Sequence, residues 1–179
     1  MPSIFTPVEP TPAVRVGSVA EALGLVGPGR PVALEAHLDG VPFQAHRSGD
    51  EVRIWSAALT EVTDELGEVV DAVRAIEADP LIVEGVATGE AGSRVPFFVD
   101  ALLVDGTSLV GLPMVERIAL LGECTPVRSM VQRTTTAVPA VAEAFAAHVR
   151  EQGGTGVEVR DVAAPRGAAG DAPTRFLVA

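Results

Sequence analysis

The chain contains no lysine. Its 13 basic residues are all arginine, set against 24 acidic ones, and the formal charge is -11. Tyrosine is also absent, and cysteine and tryptophan occur once each. With no ε-amine available, covalent catalysis through a lysine of this chain, by Schiff base or phosphoramidate, is excluded. A lone Cys124 rules out an internal disulfide and a multi-cysteine zinc site; it reads as a small core residue in a reducing compartment. Although 47% of residues are hydrophobic, no apolar run approaches the roughly 18 residues of a membrane span. The first residues, MPSIFTPVEPTPAVRVG, have neither the basic start nor the apolar stretch of a secretory signal, so a cytoplasmic location and no membrane partner are expected. The arginines are scattered, without a run and without interleaved aromatics. No cationic surface for a phosphate backbone, and hence no nucleic-acid partner, is expected from their spacing.

What is present suggests one domain of ordinary size. Residues 1–16, with Pro2, Pro7, Pro10 and Pro12, read as an extended or mobile arm, and residues 17–179 as a single domain. Ser18 is placed to cap a short helix, SVAEALGLV. Three strands follow, PVALEAHLDG, VPFQAHRSGD and EVRIWSA, with turns at Asp39-Gly40 and Ser48-Gly49-Asp50 predicting an antiparallel meander. Apolar residues at helical spacing from Val62 to Ile76 predict a helix over 60–77. LIVEGVA and VPFFVDALLVDG read as buried strands, and Pro113 as the start of a helix. A strand at 127–132, a helix from Pro139 to Glu151 and a strand TGVEVRD come next; PRGAAGDAPTRFLVA reads as a loop feeding a last strand. Strands grouped between helices, rather than strictly alternating with them, predict an α+β layered fold with mainly antiparallel sheets and packed helices.

Strand alternation places Glu35, His37 and Asp39 on one face, with Gln44 and His46 together on what reads as the partner strand. A histidine between two carboxylates suits acid-base chemistry, His37 acting as acid or base and Asp39 or Glu35 orienting it. The same residues read slightly better as inherited polar groups lining a solvated groove. Their spacing matches no zinc pattern, so no metal is expected.

From LEAHLDGVPFQAHRSGDEVRIWSAALTEVTDELGEVVDAVRAI through FFVDALLVDGTSLVGLPMVERIALL to GTGVEVRD, the chain resembles the adenylation domain of ATP-dependent DNA ligases, in the style common in high-GC bacteria. The resemblance runs from about Ser18 to the C-terminus and implies the adenylation-domain-like (ATP-grasp-like) fold. It also implies that Glu35 contacts an adenine edge and that Phe97 or Phe98 stacks on the base. The family's signature is lysine, any residue, Asp-Gly, any residue, arginine; here His37 stands at the lysine and Pro42 at the arginine. The glutamate of the next motif is Val86, and Arg160 replaces the lysine of Glu-Gly-x-x-x-Lys. The oligonucleotide-binding module that ordinarily follows is not in the sequence. The resulting expectation is a pseudo-ligase with its cleft turned to a small organic molecule in bacterial specialised metabolism. Such a protein would carry out cofactor-free isomerisation, cyclisation or elimination with His37, Asp39 and Glu35, and its ligand would meet Phe97, Phe98, Gln44, His46 and Arg160. The alternatives are a nucleotide-sensing, protein-binding or self-associating scaffold, and a protein that binds DNA ends without joining them.

Overall fold

The computed structural model describes residues 1–166 and 173–179. In chain order the elements are β1 (Val14–Val16), α1 (Val19–Val26), β2 (Val32–Ala36), β3 (Gly40–Ser48), β4 (Glu51–Ser56), a 3-10 turn (Thr63–Glu65), α2 (Gly67–Arg74), β5 (Leu81–Thr88), β6 (Val95–Val104) and β7 (Thr107–Ser108). After these come α3 (Met114–Cys124), a second 3-10 turn (Val127–Ser129), β8 (Arg133–Thr136), α4 (Pro139–Glu151), β9 (Val157–Asp161) and β10 (Arg175–Val178). They gather into two compact units. The first joins Met1–Pro10 to Asp39–Met130, and the second joins Thr11–Leu38 to Val131–Ala179. Both are α+β with sheets rich in antiparallel pairs, as the grouping of strands predicts.

In the first unit the sheet order is β4-β3-β5-β6-β7. Alternation along β3 turns Phe43 and Ala45 into a core shared with Ile54, Val69, Val73, Leu81, Val83, Phe98 and Leu121, leaving Gln44 and His46 on the other face. Leu66, Val69, Val73 and Ile76, spaced three and four apart, bury the inner stripe of α2 and its flanks. Each such fully buried aliphatic side chain contributes roughly 1.5–3 kcal/mol. Gly85 is needed where it stands, since a Cβ there would come within 2.4 Å of the Phe43 ring.

In the second unit the order is β1-β10-β9-β2-β8, with the single parallel pairing between β1 and β10. Val32, Leu34, Val157, Val159, Phe176 and Val178 point to one side, where Val19, Ala22 and Val26 of α1 and Ala142, Ala146 and Val149 of α4 cover them. The sequence caps α1 on both sides of its start: the Ser18 hydroxyl accepts from the Glu21 N–H at 3.1 Å, and the Glu21 carboxylate accepts from the Gly17 N–H at 2.7 Å. Gly153, at φ 86°, ends α4 in the left-handed region.

Several expectations are corrected. The three-strand meander is not formed, because β2 pairs with β8 and β9 whereas β3 pairs with β4 and β5. Asp39-Gly40 is therefore a passage from one sheet to another. Glycine is required there because a Cβ at position 40 would lie 2.5 Å from the Ala87 carbonyl oxygen. The helix over 60–77 shrinks to Gly67–Arg74, since the stretch before it hydrogen-bonds to the sheet edge: Val62 N–H donates to the Ile54 carbonyl, and the Thr63 hydroxyl accepts from Ile54 N–H. The strand expected at 127–132 forms at Arg133–Thr136, after a 3-10 turn. Within the C-terminal loop, residues 167–172 lie outside the described residues. No helix among the described residues is long and apolar enough to cross a membrane.

Candidate functional site

Opposite its apolar side, the second unit's sheet carries charge. The alternation that sends Leu34, Val157, Val159 and Phe176 into the core sends Glu35, Glu158, Arg160 and Arg175 to the other face. Register then sets Glu35 across from Arg133 on one side and Glu158 on the other, and Arg160 across from Arg175. Arg15, paired with Leu177, extends this face at the sheet edge. Among the described residues this face carries four guanidiniums and two carboxylates, in a chain whose formal charge is -11. The arginines that are scattered in sequence are assembled by pairing between distant strands.

The network is well made. Glu35, 3% exposed, accepts from Arg133 Nε at 2.7 Å, and both of its oxygens lie 3.4 Å from Arg160 Nη1. Glu158 accepts two parallel bonds from Arg175, from Nε at 2.7 Å and Nη2 at 3.0 Å, the bidentate geometry in which a guanidinium binds an oxyanion best. His37 follows β2: its N–H donates to the Gly156 carbonyl, and its Nδ1 lies 3.3 Å from Glu158 Oε1. Burial alone would raise the Glu158 pKa, but hydrogen bonds from His37 and Arg175, with the charges of Arg175 and Arg160, outweigh it and bring the value down to about 2. Glu158 is thus ionised at neutral pH, and the His37 Nδ1 facing it carries the hydrogen. Water reaches Arg175 and His37, whose side chains are 29% exposed, more freely than Glu35, Arg133, Arg160 and Glu158.

This arrangement changes the expected roles. The orienting partner of His37 is Glu158, a residue not singled out from the sequence, and not Glu35 or Asp39. Glu35 faces Arg133 and Arg160, and Asp39 is an exposed residue of the first unit. Arg133 and Arg175 were likewise missed. The signal that could have found them is the alternation of VEVR and RFLV, which places Glu158, Arg160 and Arg175 opposite core residues.

Gln44 and His46 sit on β3 in the first unit, so they are not on the strand that pairs with β2. His46 is fully buried, its ring 4.5 Å from that of Trp55, and both of its nitrogens are engaged, Nδ1 by the Phe5 N–H and Nε2 by Gln44 Oε1. Burial lowers its pKa to about 4, so it is neutral at physiological pH. Phe98, 1% exposed, packs edge-on against Phe43 at 6.0 Å in the core; Phe97 is half-buried beside it on β6.

No family model matches the chain. A "Probable DNA ligase" of Streptomyces griseus is 37% identical over 90% of this chain and 38% of its own length. Another from a Nocardioides species is 34% identical over 89% of the chain and 35% of its own length. The chain thus spans well under half of these relatives. Among solved structures, the ligase domain from M. tuberculosis LigD has a TM-score of 0.65 at 17% identity, covering 93% of this chain and 58% of that one. A mycobacterial DNA ligase D complexed with ATP and MES gives 0.65 at 16%, covering 93% and 59%. These findings overturn the expectation of a pseudo-ligase turned to small-molecule isomerisation, cyclisation or elimination. These relatives, which match nearly the whole chain, carry the name of probable DNA ligase.

Proposed function

We propose, from the premise that this chain is a homologue of the adenylation region of ATP-dependent DNA ligases, that it serves DNA strand joining by holding the phosphates of ATP on the arginine-bearing face of its second unit. The observation that carries this reading is the gathering of Arg15, Arg133, Arg160 and Arg175 on one sheet face of an otherwise acidic chain. In the absence of lysine all of that charge is guanidinium, and the N–H groups not engaged with Glu35 and Glu158 are the donors a phosphate would meet. Glu35 and Glu158 hold the forks in place, as second-layer carboxylates do in preorganised anion sites. ATP is the anion chosen because a relative of the same fold was solved with it bound.

Calorimetric titration with ATP, with and without magnesium, tests the reading. Binding is expected, and Arg175→Gln, at a partly exposed position, should weaken it by about tenfold or more, the effect of removing one charge-assisted hydrogen-bonding group. No heat under either condition, or an unchanged affinity in the variant, would contradict it.

A further inference from the structure

The Pro-rich N-terminal segment is fastened to the outer face of the first unit's sheet by one polar clasp. Phe5 N–H donates to His46 Nδ1 at 3.0 Å, and His46 Nε2 donates to Gln44 Oε1 at 2.9 Å. That oxygen also accepts from Val8 N–H at 2.7 Å, while Gln44 Nε2 donates to the Val8 carbonyl at 3.0 Å and to Glu84 Oε1 at 3.1 Å. The clasp works with only one form of the imidazole, the neutral tautomer with its hydrogen on Nε2, because Nδ1 must accept. Around it, Ile4 and Val8 pack on Ile82, Leu102 and Leu103. Phe5 is held at φ 62°, a left-handed conformation that a phenylalanine adopts only when its surroundings impose it. The Arg53 guanidinium lies 4.9 Å from the centre of the Phe5 ring.

The charged neighbours of His46 do not favour a proton on it. From β4, Arg53 is its direct cross-strand partner and is itself paired with Glu51. From β5 the facing residue is Ile82, and Glu84, two pairs further along, reaches the ring through Gln44. From the N-terminal segment the one carboxylate is Glu9, which is exposed. A proton on Nδ1 would point a second donor at the Phe5 N–H and bury a cation beside an arginine.

We propose that residues 4–8 form a strap that the neutral His46–Gln44 pair holds shut and that protonation of His46 releases, uncovering the Ile82, Leu102 and Leu103 face of the sheet. Burial keeps the closed ring neutral down to about pH 4. If the ring in the open form recovers its ordinary value near 6.5, linkage makes opening about a hundredfold easier at pH 4 than at pH 7.

Amide hydrogen exchange on the full chain, corrected for the intrinsic rate at each pH, reads this directly. The Phe5 and Val8 amides should lose about a hundredfold of protection between pH 7 and pH 4, in step with the His46 ring nitrogens followed by NMR, while the Ala45 and Ile54 amides keep theirs. Protection of Phe5 and Val8 that stays flat while His46 titrates would overturn the proposal. So would loss of protection at Ala45 and Ile54 together with the strap, since that is unfolding of the unit rather than release.

Discussion

The two units meet the same problem, a polar stripe on the back of a sheet whose front is core, and they answer it in opposite ways. In the first unit His46 is buried with no direct counter-ion; it stays uncharged and uses both ring nitrogens as neutral hydrogen-bonding groups. In the second, Glu35 and Glu158 remain charged because Arg133, Arg160 and Arg175 are there to pair with them. Desolvation acts on both sites. It prevails at His46, whose pKa falls to about 4, and is overcome at Glu158, whose pKa also falls, to about 2. Burial therefore does not fix which way a group titrates; its partners do. The neutral arrangement fastens a segment of chain, and the charged one offers guanidiniums to an anion.

The contrast can be broken most forcefully at Glu35. Glu35→Ala removes the buried carboxylate that Arg133 and Arg160 share, and denaturant unfolding should show a loss of about 3 kcal/mol, as when one partner of a buried ion pair is deleted. A loss under 1 kcal/mol would mean that the network is solvated and adds little.

Acid separates the two units. The folded pKa of His46 lies below its ordinary 6.5, so the unfolded chain takes up the proton first: its contribution is complete above pH 6.5 and is lost as pH falls towards about 4. That loss is on the order of 3 kcal/mol. The contribution of Glu158 is present above about pH 4.5 and disappears only as pH falls through about 2. Stability measured from pH 7 to pH 2 should therefore decline in two windows, and His46→Phe should remove the upper one alone. A single decline that His46→Phe leaves untouched would show that the upper window belongs elsewhere.

The smallest effect is expected at Arg53. Its side chain is 44% exposed and its bond to Glu51 is a surface pair, so Arg53→Ala should cost less than about 1 kcal/mol. A larger cost would make the stack on Phe5 a principal fastening of the strap.

Much of this was legible in the sequence wherever the determinant is local. The cap at Ser18, the start of α4 at Pro139 and the alternation of Gln44 and His46 along β3 are legible from neighbouring residues alone. Asp39-Gly40 misled because Asp-Gly is a hairpin signal over four residues, whereas β2 takes its partners from residues about a hundred positions later. The start of the 60–77 segment misled because Thr63 and Val62 bond to Ile54, an edge that helical spacing does not register. At the site, His37 and Arg160 were named, but Glu158, Arg133 and Arg175 were not, since only the register of β2, β8, β9 and β10 brings them together. The strap was read as an extended or mobile arm for the same reason: the residues it binds lie 36 and 41 positions away.

The measurement that bears most directly on the central claim is the NMR response of the arginine Nε–H signals to ATP in the full chain. Arg175, with Arg133 and Arg160, should shift in a saturable manner while Arg47 and Arg117 of the first unit stay in place. Shifts confined to the first unit's arginines, or none at all up to millimolar ATP, would contradict the assignment of the phosphate-holding face.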